Sequence, residues 1–176
     1  MNPDIDDMTD RTVLVTGATD GLGRALAVRL GAAGARLILH GRNPERAAAV
    51  AADVVAAGGA TPQIILADLS QLREVDRLAD EIIARTSHLD VLVNNAGISG
   101  RTDGRRELTA DGTSAGQQEI DLEDPTPERD CDAFAAYCRA KLATIEYAEE
   151  LHGTGVTVNA LHPGYSKSAT RQLIRS

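Results

Sequence analysis

Eight residues, Thr16-Gly17-Ala18-Thr19-Asp20-Gly21-Leu22-Gly23, join a short β-branched run to an apolar helical repeat. That joint constrains the fold more than any other feature of the chain. Thr12–Thr16 reads as a buried strand; Leu22, Ala25, Leu26, Ala27 and Leu30 then recur at helical spacing until Gly34 stops the helix. Glycines at such a joint permit a tight turn and let a ligand approach the backbone, while the helix N-terminus offers amide donors and positive potential. Glycine-rich turns also occur without ligands. A turn that leaves a strand and opens a helix, however, meets the context that dinucleotide binding requires.

The same alternation continues. Ala35–His40 is a second strand, and Pro44–Ala57 is an alanine-rich helix started by Pro44 and ended by Gly58-Gly59. Gln63–Leu66 is a third strand, Ser70 caps a helix through Ala84, and Leu89–Val93 is a fourth strand. This cadence predicts an α/β fold, a Rossmann-like doubly wound parallel sheet. Between Ser99 and Asp130 the pattern lapses, with Leu108, Ile120 and Leu122 the only large aliphatics. Order resumes in a helix over Cys131–Leu151 and a fifth strand over Gly155–Leu161, broken by His162-Pro163-Gly164. The expectation is an acidic disordered tail over 1–10 and one truncated domain over 11–176, of about five strands, with an irregular loop over 99–130.

Composition narrows the function classes. A net charge of −8 argues against nucleic acid and anionic membranes as partners, since both need basic patches. The acidic, polar N-terminus does not read as a signal peptide, and no apolar run approaches the ~20 residues of a membrane span. A cytoplasmic location is expected. Cys131 and Cys138 have no metal-ligand spacing and read as free thiols, although they share a helix face and a thiol role stays open. His40, His88, His152 and His162 have no ligand spacing either, and read as structural or surface residues.

Three further positions carry chemistry. Strand two ends His40-Gly41-Arg42, with no acid for a ribose 2′-hydroxyl but an arginine suited to a 2′-phosphate. That favours NADP over NAD; Arg24 and Arg46 are either helpers or surface charges. Asp68 follows strand three, where it could accept from an adenine amino group or serve the dipole of the next helix. Tyr137 and Lys141 lie one helical turn apart, and a cation there lowers the tyrosine pKa from its ordinary value of about 10. Only two lysines stand against sixteen arginines, so one kept here suggests a required compact charge.

Together these motifs resemble the short-chain dehydrogenase/reductase family, in its retinol-dehydrogenase-like branch. The matching residues are Thr16-Gly17-x-x-x-Gly21-x-Gly23, Asp68-Leu69, Asn94-Asn95-Ala96-Gly97, Tyr137-x-x-x-Lys141 and Val156–Gly164. The resemblance implies hydride transfer between NADP(H) and an alcohol/carbonyl pair. It implies a phosphate turn at Gly17, Thr19, Gly21, Leu22 and Gly23, with Asn95, Ala96 and Gly97 lining the adenosine ribose and bracing the sheet. Tyr137 would be the general acid/base, Lys141 its partner, and Pro163 and Gly164 would flank the nicotinamide.

The chain departs from the family between the Asn-Asn-Ala-Gly turn and the tyrosine. Leu108–Gly112 resembles the segment before a helix that carries the family's catalytic asparagine, and Thr113–Gln117 the segment after the strand that carries its serine. The two abut, as though one helix–strand unit were deleted. Ser114 aligns with the catalytic serine but reads equally as a loop serine, and the asparagine has no counterpart. Two alternatives to an active oxidoreductase therefore stand: a catalytically impaired nucleotide-binding remnant or partner subunit, and a shortened reading of a longer gene. The family's usual dimer interface would be impaired by the same deletion.

Overall fold

The computed structural model describes residues 7–97, 150–151 and 157–159. The chain divides into two compact units, Met1–Ala96 and Gly97–Ser176. In the first, β1 (Thr12–Val15), α1 (Gly21–Ala32), β2 (Arg36–Gly41), α2 (Pro44–Ala56), β3 (Gln63–Leu66), α3 (Leu72–Arg85) and β4 (Val91–Val93) follow in turn. The strands form one parallel sheet in the order β3-β2-β1-β4. The chain builds outward from β1 to β3 and then returns to the other side of β1. Between β1 and β4 the order reverses, and in doubly wound sheets ligands bind outside the strand ends at that point.

Strand sequences follow from their depth. β1 is buried throughout and β2 nearly so, so both read as continuous apolar runs. Alternate side chains serve opposite faces. Val13, Val15, Leu37 and Leu39 meet Ala27 and Leu30 of α1 and Val50 and Val54 of α2. Leu14, Ile38 and Ile65 meet Leu78 of α3 on the other face. Small side chains such as Ala27 and Ala47 let the first helical layer lie close, which is how a core with few aromatics can be filled.

Several expectations are corrected by local hydrogen bonding. The acidic segment is fixed from residue 7 on, because Met8 N–H donates to Ala33 O and Arg11 N–H to Met8 O (2.9 and 3.0 Å). Ser70 does not cap α3. Its N–H and hydroxyl both donate to Asp68 Oδ1 (3.2 and 2.9 Å), closing a turn that delays the helix start to Leu72. β4 starts at Val91, and the carboxylate of Asp90 just before it accepts Thr12 N–H and Arg11 (2.8 and 2.9 Å). The fifth strand expected over 155–161 is not found at Thr157–Asn159, which are exposed and belong to no strand. The sheet of the described residues therefore has four strands. Glu150 is helical and Leu151 lies in a turn; the rest of the helix expected over 131–151 lies outside the described residues. No helix among the described residues is long and apolar enough to cross a membrane.

Candidate functional site

The C-terminal ends of β1, β2 and β4 bring the glycine turn and the Asn-Asn-Ala-Gly turn together. Thr16 is the hinge. Its N–H and hydroxyl both donate to Val93 O (3.0 and 3.1 Å), and the hydroxyl oxygen accepts Ala96 N–H at 3.0 Å. From the other side, Asn95 Nδ2 donates to Thr16 O and Gly17 O (2.9 and 3.1 Å). Asn95 thus makes two bonds across the mouth of the sheet.

Two glycines are set by this closeness. Gly17 has φ +62°, in the left-handed region, and a Cβ on it would lie 2.8 Å from Ala96 Cα. A Cβ on Gly23 would lie 2.5 Å from Asn95 Nδ2 and would press on the Gly17 carbonyl. The turn is therefore drawn tightly against α1. The first amides of α1 have no carbonyl of their own helix to bond. Asp20 satisfies one of them as N-cap, accepting Gly21 N–H at 2.7 Å. Leu22, in the same turn, is exposed.

Cations line the end of β2. Arg42 is exposed, with Nη1 4.0 Å from Asp68 Oδ1, and Arg46 is exposed with Nη1 3.8 Å from Asp20 Oδ2. Both pairs are loose enough to be exchanged for a stronger anion. Arg24 is not among them, because it turns away to Asp53 at 2.6 Å. Gly41 leaves room for the Thr19 side chain, which seats Thr19 against the end of β2. Burial opposes ionisation of Asp68, but the Ser70 N–H and hydroxyl and the Arg42 guanidinium outweigh it, so its pKa lies below the ordinary 3.8. Leu69 packs against the smaller core cluster.

One participant is missed by sequence reasoning. His40 is buried; its Nδ1 accepts Gly17 N–H at 3.2 Å and its Nε2 lies 3.1 Å from Ala67 O. Its position is the only signal the sequence offered: a histidine at the site end of the otherwise apolar run Leu37–Leu39. Tyr137, Lys141, Ser114, Pro163 and Gly164 lie outside the described residues.

The donor set suits a dinucleotide diphosphate: a glycine turn drawn tight against its neighbours, the amide end of a helix, and two exposed guanidiniums beyond β2. Comparison with known proteins agrees. A family model for short chain dehydrogenases matches residues 11–115. Mouse retinol dehydrogenase 14 is 34% identical over 205 positions, covering 89% of this chain and 61% of its own length. Since 89% of 176 residues is about 157, about 48 of those positions face no residue here. The chain spans only about three-fifths of that relative. Among solved structures, a metagenomic short-chain oxidoreductase in complex with NADP is 37% identical, with a TM-score of 0.51 over 55% of this chain and 43% of its own. A Shigella flexneri 2a protein described as a short chain dehydrogenase, complexed with NADP, is 35% identical, with a TM-score of 0.51 over 57% of this chain and 44% of its own.

Proposed function

This chain belongs to the short-chain dehydrogenase family, in its retinol-dehydrogenase-like branch, and on that footing we propose that it is an NADP(H)-dependent oxidoreductase acting on an alcohol/carbonyl pair. The observation that carries the cofactor reading is the pair of exposed guanidiniums, Arg42 and Arg46, beside the tight turn at the N-terminus of α1. Bound NADP(H) supplies the hydride chemistry. The amides of the first turn of α1 face the pyrophosphate, and Arg42 and Arg46 hold the 2′-phosphate by exchanging Asp68 and Asp20 for it. Asn95 and Thr16 keep the turn in place for that contact. Tyr137 gives or takes the substrate hydroxyl proton, Lys141 lowers its pKa, and Ser114 hydrogen-bonds the reacting oxygen. Pro163 and Gly164 flank the nicotinamide. The substrate is a small molecule met in the cytoplasm.

The unmatched positions favour a second reading, a subunit that binds the nucleotide without turning over. Calorimetry of the full chain with NADPH and NADH, followed by a carbonyl panel, separates the two. NADPH should bind more tightly than NADH. Arg42→Ala should remove about tenfold or more of the NADPH affinity, the worth of a charge-assisted hydrogen bond, and leave NADH little changed. Carbonyl turnover should vanish in Tyr137→Phe. Binding without Tyr137-dependent turnover selects the second reading, and absence of binding rejects both.

A further inference from the structure

We propose that His40 is a positioning residue for the cofactor turn: its neutral ring clamps Gly17 to the end of β3, and protonation opens the clamp and weakens cofactor binding. The inference rests on the reading that this turn holds NADP(H). It begins from the two hydrogen bonds of one buried ring. The Gly17 amide can only donate, so Nδ1 must be the bare nitrogen; the Ala67 carbonyl can only accept, so Nε2 must carry the proton. Both partners thus demand the same neutral tautomer. A proton added at Nδ1 would set two N–H groups against each other, and one must leave.

The Gly17 amide is the partner able to leave. Ala67 is held from the other side, where its N–H donates to Gly41 O at 3.2 Å, and its side chain is buried in the smaller core cluster. Gly17 stands in a half-buried turn at a left-handed φ, outside the sheet ladder, and its carbonyl accepts Asn95. Movement there passes directly into the amides that face the pyrophosphate. The backbone repeats the connection, since Ala18 N–H donates to His40 O at 2.9 Å. The charged groups that bear on the ring are Arg42, beyond its own strand, and Asp68, beyond β3. Burial is the largest influence and disfavours the added proton; the Ala67 carbonyl and Asp68 favour it, and Arg42 opposes it. The balance leaves the ring below its ordinary 6.5. The residue is thus neutral at neutral pH and takes up a proton only below the ordinary histidine range.

The test uses the full chain. NADPH affinity is measured from pH about 7.5 to about 5 in the wild type, His40→Asn and His40→Gln, because the cofactor's own phosphate titrates in that window and only differences between proteins are informative. Asparagine places an acceptor near Nδ1, so it should keep the Gly17 bond and recover most of the affinity. Glutamine places its amide near Nε2 and keeps only the Ala67 bond, so it should bind about fivefold more weakly at every pH, the worth of one neutral hydrogen bond. Wild-type affinity should fall about fivefold further than that of His40→Asn on acidification. Identical pH profiles in those two proteins overturn the proposal. A readout without cofactor stands beside it: the Gly17 amide resonance of the wild type should titrate together with the His40 ring. An unmoved Gly17 amide overturns the proposal even if neither variant folds. A titrating amide in a protein that binds no NADPH would instead reject the cofactor reading and leave the clamp intact.

Discussion

At the scale of single residues, the site is organised by what cannot be added to it. Gly23 faces the Asn95 amide and the Gly17 carbonyl, one of them backbone, so a methyl group there cannot be absorbed by turning a flexible side chain. Gly23→Ala should therefore lower stability by about 1–3 kcal/mol, as overpacking does. It should also abolish NADPH binding, because the displaced element is the turn itself. Chemical denaturation and calorimetry of the same sample check both. Gly58 is a useful contrast, since a Cβ there meets nothing within 4 Å and only its φ of +93° resists substitution. The glycines were legible beforehand from their place between a predicted strand and helix, and Asn95 through its family motif. Thr16 and His40 were not, because a threonine or histidine at a strand end acquires a role only from the chain that arrives beside it.

At the scale of elements, the two outer strands of the sheet among the described residues are treated differently. Among the described residues β3 is an edge strand, and two arginines of α3 reach back to it: Arg77 donates to Leu66 O, and Arg85 Nη1 to Ile64 O at 3.4 Å. Glu74 and Glu81 hold these arginines in place. Outward carbonyls of an edge strand are a template for pairing with another chain, and covering them with charge prevents it. The double substitution Arg77→Ala/Arg85→Ala should give a small drop in Tm but a clear rise in self-association, read by light scattering on gentle heating. At β4, by contrast, Val91 and Leu92 are exposed, as are Leu72, Val75 and Ile83 on α3. The presence of α3 was readable in the sequence. How few of its apolar residues, Leu78 alone, are fully buried was not.

At the scale of the whole molecule, acid should act first through His40. Its folded pKa is lowered, so as pH falls below 6.5 the unfolded chain takes up the proton before the folded one does. The ring's contribution is therefore intact above 6.5 and is lost as pH falls toward the folded value. The slope is at most about 1.4 kcal/mol per pH unit for a single group. Asp68 and Asp90 have pKa values below the ordinary 3.8, so their contributions are lost only in stronger acid. Urea unfolding between pH about 7.5 and about 5 should show the first loss in the wild type and a flatter profile in His40→Asn. Asp90 is held down chiefly by the Thr12 amide and then by Arg11, which ties the start of β1 to the approach to β4.

The sequence by itself determined the α/β class, the order of the first seven elements, the glycine turn and the family, because periodicity, glycine placement and strand-end motifs are local signals. The tertiary structure decided what depends on distant chain segments meeting. It placed Arg46 beside Asp20 and sent Arg24 to Asp53, although both arginines looked alike in sequence. It used Asp68 to close a turn with Ser70, moving the start of α3, since a short polar side chain bonds whichever backbone group the fold presents. And it put His40 within hydrogen-bond reach of Gly17 and Ala67, residues 23 and 27 positions away, so that one buried ring joins three strand ends only because the sheet has brought them to the same edge.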